Sequence, residues 1–200
     1  MKYNYITIER EYGSGGTRIA HRLADECGMA CYGREILENV AKESDLSVEQ
    51  IERYEESVTN SLLYTVFVMS KAQSGDTDML TEEGHVYLAE QAAIKRLALN
   101  GPAVFLGHCA SEALKERRGV AKVFIHANKE EKEKRIIEDY QVPKSKIEMT
   151  RKYYDKKRAN YYRANTMKRW DDYQNYDIVL DSSQLGIEGC VAVLKGLVQG

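Results

Sequence analysis

Four small residues in a row, Gly13-Ser14-Gly15-Gly16, separate two runs of opposite periodicity. The run before them, YNYITIE (3–9), alternates and is rich in β-branched and aromatic residues, which predicts a strand. The run after them, TRIAHRLADECG (17–28), places Ile19, Ala20, Leu23, Ala24 and Cys27 at helical spacing and ends on Gly28, a natural helix terminator. A strand that turns through glycines into a helix leaves the helix's first N–H groups and the positive end of its dipole facing the turn. Glycine lets the backbone approach an anion closely, so the arrangement suits a phosphate.

The phosphate-loop pattern G-x-x-x-x-G-K-[ST] can be laid on Arg10 to Thr17. Gly15 keeps its glycine and Thr17 keeps the hydroxyl that would reach Mg²⁺. Arg10 stands at the first glycine, and Gly16 stands where the lysine belongs. Two other readings compete. Gly13 and Gly15 fit a dinucleotide fingerprint, but Arg18 occupies its third glycine, where close helix–strand packing needs a small residue. A purely structural turn needs fewer small residues than this one has.

The rest of the chain repeats the alternation. MACYG predicts a short strand, REILENVAKESD and SVEQIERYEES helices, and TEEGHVYLAEQAAIKRLALNG a long helix ended by Asn100, Gly101 and Pro102. AVFLG (103–107), AKVFIHA (121–127) and YDIVLDSS (176–183) read as buried strands. ASEALKER, KEEKEKRIIEDY and LGIEGCVAVLKGLVQ read as the helices that follow them, the last closing the chain. Strands alternating with helices predict one parallel sheet covered on both faces. Two hundred residues suffice for one such domain, 1–200. The apolar run LLYTVFVM (62–69) is ambiguous: it fits core or a dimer surface, so a homodimer is one expectation.

Net charge is −2, which argues against a nucleic-acid or membrane partner. The charge is uneven, however. Residues 144–169 carry ten Lys and Arg against Glu148 and Asp155, a local basic stripe suited to a small anion or, more simply, to a solvated helix face. Within it Arg151, Asp155, Arg158 and Tyr162 are spaced four, three and four apart, so they share one helix face. Asp155 can orient both arginines to clamp a transferring phosphoryl group. A surface ladder of ion pairs is the alternative. The cysteines, Cys27, Cys31, Cys109 and Cys190, show no metal spacing and read as free thiols of a reducing compartment. MKYNYITIERE has no continuous apolar core, so no signal peptide is expected, no apolar run is long enough for a membrane span, and a cytoplasmic location follows by default.

Taken together, these stretches resemble the cytidylate kinase-like family, a branch of the P-loop nucleoside monophosphate kinases. ITIEREYGSGGTRIAHRLA resembles its opening, PAVFLGHCASEAL its central strand, and DKKRANYYRANTMKRWDDYQNYDIVLDSSQLGIEG its lid, last strand and closing turn. The resemblance implies a three-layer α/β fold with a P-loop-type parallel sheet, a helical acceptor-binding region at about 35–80 and an arginine-rich lid at about 143–172. It implies phosphoryl transfer from ATP, with Mg²⁺, to a nucleoside monophosphate, CMP or dCMP first.

By the same resemblance, Gly13, Ser14, Gly15, Gly16, Thr17 and Arg18 would hold the donor phosphates, with Thr17 on the metal. Asp181, Ser182 and Ser183 would lie by the adenosine. Arg34 would meet the acceptor, and Arg151, Asp155 and Arg158 would act on the moving phosphoryl group; His108, where the chain leaves the family pattern, is either a donor to the acceptor phosphate or a structural histidine, and Arg163 is a further candidate on the moving group. The chain departs from the family pattern at Gly16 and at LGHC (106–109), where DGRD would supply an acid and an arginine. Arg10, Arg18, Arg158 and Arg163 are the cations available to replace the lysine. Non-catalytic nucleotide binding and a kinase for a different small acceptor are the alternative functions.

Overall fold

A computed structural model describes residues 3–44, 46–57 and 80–199. The expected acceptor region is therefore described only in part, and the apolar run 62–69 lies outside the described residues.

Five strands form one parallel sheet: β1 (Tyr5–Arg10), β2 (Ala30–Tyr32), β3 (Ala103–Leu106), β4 (Val120–His126) and β5 (Ile178–Asp181), in spatial order β2-β3-β1-β4-β5. Helices α1 (Gly16–Cys27), α2 (Arg34–Glu43), α3 (Val48–Ser57), α4 (Glu82–Leu97), the short α5 (Ala110–Ala113), α6 (Lys129–Tyr140), α7 (Ile147–Thr166) and α8 (Ser182–Gln199) surround it. The strand period of two divides the core. Ile6, Ile8, Val104, Leu106, Val123 and Ile125 face α1 and α8, while Tyr5, Ala103 and Phe105 face α2 and α4. Both faces are dry, as a parallel sheet requires.

The predicted helix ends are where local chemistry puts them. Gly28 closes α1 in a left-handed conformation, with its N–H returned to Ala24 and Asp25 carbonyls. Asn128 caps α6 by accepting the Glu131 N–H at 2.9 Å. The closing helix begins earlier than its apolar pattern suggests. Ser182 starts it directly from β5, and Gly186 (φ 68°, ψ 176°) breaks it before the apolar stripe takes over. No helix among the described residues is long and apolar enough to cross a membrane.

The connection from central β1 goes to α1 on one face, and that from neighbouring β3 goes to α5 on the other. Adjacent parallel strands with diverging connections leave a crevice beyond their carboxyl ends. Glu9, Arg10 and Gly107, His108 and Cys109 line that crevice.

Candidate active site

The crevice opens into a cavity of about 270 Å³. Its floor is Glu9 and Arg10 from β1 and Gly107, His108 and Cys109 after β3. Arg34 and Glu52 stand on the α2–α3 side, and Lys157 and Arg158 on the α7 side.

Arg10 explains the missing lysine. A Cβ built on Gly16 would lie 2.6 Å from Arg10 Cβ and 2.8 Å from its Cγ, so the arginine stem fills the space a side chain at 16 would need. The guanidinium then crosses the end of β3, where a Cβ on Gly107 would meet Arg10 Nη1 at 2.5 Å. The arginine stem thus requires glycine at 16, while at 107 the positive φ of 77° favours glycine and the guanidinium lies close against it. Burial, and then repulsion from Arg158, lowers the proton affinity of Arg10. Its buried Nε has no hydrogen-bond partner among the described residues. Two crowded guanidinium groups and an unused donor make a fixed positive field suited to an anion.

The loop itself is built to hold its shape. Gly13 (φ 79°) and Gly15 (φ 76°) are left-handed. Glu11 accepts from Lys132 Nζ at 2.7 Å and from Ala127 N at 3.2 Å. Buried Arg135 donates to Ser14 O (2.9 Å) and Ser182 Oγ (2.8 Å), and Ser182 Oγ donates to Ser14 O (2.6 Å). Ser14 and Ser182, both expected at the nucleotide, are fully buried as ties between the loop and α8. Gly15 and Thr17 are partly exposed, while Gly13 and Gly16 are buried.

Helix α7 is docked on this loop through the arginine–aspartate pattern. Asp155 Oδ1 accepts the Tyr12 N–H at 2.7 Å, and Arg158 Nη1 donates to Arg10 O at 2.9 Å. The Arg158 guanidinium sits 5.7 Å from the Tyr12 ring centroid, and Tyr12 stacks between Tyr154 (4.5 Å) and Tyr140 (4.9 Å). Arg151 Nη1 is 3.8 Å from Asp155, and its buried Nε is unpartnered among the described residues. Burial raises the Asp155 carboxyl above its usual range despite the Tyr12 N–H that favours the ionised form. Past the helix, Trp170 Nε1 donates to buried Glu9 at 3.1 Å, which joins the segment after α7 to β1 beside Arg10.

Glu55 and His108 of the cavity lining form a second cluster with Glu90 behind them. His108 Nδ1 is 2.9 Å from Glu55 Oε1 and 3.9 Å from Glu90 Oε2. Glu90, wholly buried, accepts a short hydrogen bond from Tyr161 OH on α7. Burial, reinforced by Glu55, pushes the Glu90 carboxyl up to about 8. Burial disfavours the charged imidazole of His108, yet Glu55 and Glu90 outweigh it and raise His108 to about 9. The backbone beneath is strained: Gly107, His108 and Cys109 are all left-handed, with φ of 77°, 54° and 52°. For non-glycine residues that conformation is costly and collects at functional sites.

The structure therefore brings Gly13, Gly15, Gly16, Thr17, Arg151, Asp155 and Arg158 around one loop, and Arg34 and His108 into the cavity next to it. Arg34 is already paired with Glu52 at 2.7 Å. Two of the expected arginines lie elsewhere. Arg18 is exposed and 3.6 Å from Asp139, and Arg163 is exposed and does not line the cavity. Asp181 caps the start of α8 by accepting the Ser183 N–H at 2.9 Å.

Sequence reading missed Glu9, Glu55, Glu90, Lys157 and Tyr161. Glu90 left a signal: it sits on the buried stripe of α4 with Val86, Tyr87, Ala93, Ile94 and Leu97, where a carboxylate is out of place. Glu55 left none, because α3 is acidic throughout.

The sequence profile of the Cytidylate kinase-like family matches residues 5–184. No curated protein matches the chain. Among solved structures, an uncharacterised protein from Eubacterium ventriosum is similar at 21% identity and a TM-score of 0.71, with 98% of each chain covered. A shikimate kinase from Bacteroides thetaiotaomicron (12%, TM-score 0.50, 98% of each chain) is also similar. So is a gluconokinase from Sinorhizobium meliloti (17%, TM-score 0.50, 98% of this chain and 91% of that one). At these identities the structural likeness establishes the fold.

Proposed function

The chain belongs to the cytidylate kinase-like family, and from that premise we propose that it transfers a phosphoryl group from Mg²⁺-ATP to a nucleoside monophosphate, with Arg10 in the role of the loop lysine. The observation that carries this reading is the fit of Arg10 to two glycines. Its stem replaces a side chain at Gly16, and its head reaches the cavity beside Arg158 with a donor unused.

The residues present fit the donor. The Gly13–Thr17 backbone would hold its phosphates at the start of α1. The Thr17 hydroxyl would hold Mg²⁺, which supplies charge neutralisation on the phosphates. Asp181 and Ser183 take the adenosine side. Arg10 and Arg158 point at the space between loop and cavity, where charge builds on the moving group. Asp155 fixes the loop backbone next to them. Arg151 completes the cluster, and Arg34 and Lys157 face an anionic acceptor from either wall. CMP or dCMP is the first acceptor in this reading, on family resemblance. Catalysis is positional and electrostatic, with no covalent intermediate.

Leu106 favours a second reading, because β3 ends in an aliphatic side chain where an acid would help hold Mg²⁺. On that reading the protein binds nucleotide without turnover. Incubation with Mg²⁺-ATP and a panel of nucleoside monophosphates, with ADP and diphosphate products measured, decides between them. Acceptor-dependent product that falls at least about 10²-fold in Arg10→Ala supports transfer with Arg10 at the phosphates. ATP binding without product from any acceptor supports the non-catalytic reading. Product from an acceptor other than a nucleoside monophosphate retains the kinase and replaces the acceptor.

A further inference from the structure

We infer that Glu55, Glu90 and His108 form a binding site for one divalent cation of the zinc class in the wall of the acceptor cavity. The three residues come from α3, α4 and the strained turn after β3, so only the tertiary fold assembles them. One ligand atom from each lies within 4.8 Å of the others. Donors bound at about 2.1 Å to one ion stand roughly 2.9 to 4.2 Å apart, depending on the angle between them. His108 Nδ1 stands 2.9 Å from Glu55 Oε1 and 3.9 Å from Glu90 Oε2.

His108 Nδ1 lies 2.9 Å from Glu55 Oε1, yet it is buried without a well-formed hydrogen bond among the described residues. Glu90 Oε1, on a side chain with no exposed surface, is likewise without a partner. Two unused polar atoms beside two close carboxylates call for a cation between them. Two carboxylates and a neutral imidazole balance a charge of +2.

A mixed nitrogen and oxygen set selects zinc or a neighbouring transition ion over Mg²⁺, which prefers oxygen and its own waters. Tyr161 OH on Glu90 is the outer hydrogen bond that orients a ligating carboxylate. Glu55 and His108 line the cavity while Glu90 lies behind them, so the remaining coordination positions face whatever enters. This site is separate from Thr17 and the nucleotide's Mg²⁺, and it does not depend on phosphoryl transfer.

The test uses the untagged, chelator-treated full chain without nucleotide. Zn²⁺ is titrated calorimetrically, and Co²⁺ is titrated with its visible absorption followed. One equivalent is expected, with a cobalt spectrum of a low-coordinate nitrogen and oxygen site. Affinity should fall at least tenfold in Glu90→Gln and in His108→Gln, and by less in Tyr161→Phe. Melting curves establish that each variant folds. If Glu90→Gln does not, Glu55→Gln, at the cavity rim, carries the same comparison. No binding, or one equivalent bound with unchanged affinity in the folded ligand variants, overturns the site. Neither result bears on turnover, which is measured separately with Mg²⁺-ATP.

Discussion

Arg10 shows how one side chain constrains residues far from it in sequence. Its stem excludes a side chain at Gly16 and its head lies against Gly107, so positions 10 and 16 must change together for the loop to revert to the lysine pattern. Gly16→Lys alone should therefore lower thermal stability, by about 1–3 kcal/mol for an overpacked site. Arg10→Gly combined with Gly16→Lys should recover most of that loss and retain ATP binding. Melting curves and ATP titrations of the two variants check this. A double variant no more stable than the single one would mean that the clash at residue 16 is not with Arg10.

Arg158 obeys the same logic. As a residue on an exposed basic stripe it is expected to be dispensable for stability. In the structure it donates to Arg10 O and covers Tyr12, so its removal unties α7 from the loop. Arg158→Ala should cost about 1–2 kcal/mol of stability as well as at least about 10²-fold in transfer. Chemical denaturation and product assays measure the two losses independently.

At the level of elements, α7 is docked on the β1–α1 loop by Asp155, Arg158 and the Tyr140–Tyr12–Tyr154 stack. Its continuation reaches β1 again through Trp170 and Glu9. Trp170 is the only tryptophan of the chain, so its fluorescence reports on this joint. Saturating Mg²⁺-ATP should shift or quench the emission, since nucleotide at the loop must act on Arg10 and hence on its neighbour Glu9. Unchanged emission with calorimetrically verified ATP binding would show that the segment around Trp170 and the loop respond separately. Asp155→Ala should weaken the docking and raise amide exchange across α7, because a buried backbone N–H at Tyr12 would lose its charged partner.

For the molecule as a whole, stability rests on the two dry faces of the sheet. Phe105 on β3 is fully buried against α2 and α4, below the cavity rather than in it. Phe105→Ala should cost about 3–5 kcal/mol by losing burial and leaving a void. Urea denaturation measures this loss. A cost below about 1 kcal/mol would show that this face of the core repacks.

The alternation of strands and helices, the glycine turn, the parallel sheet and the shared face of Arg151, Asp155 and Arg158 were all legible in the chain, because each depends on neighbours within a few turns or residues. The family followed from the same local patterns. What replaces the lysine was not legible, because Gly16 and Gly107 reveal their common partner only once β1 and β3 lie side by side. Neither was the meeting of Glu55, Glu90 and His108, which come from three elements on different sides of a cavity. Ser182 and Arg163 make the same point in reverse: a motif assigns them to a site, while packing buries the first as a tie and turns the second to solvent. Local periodicity determined the elements and their order; distances between side chains remote in sequence were decided only when the sheet, its two layers of helices and the docked α7 enclosed them.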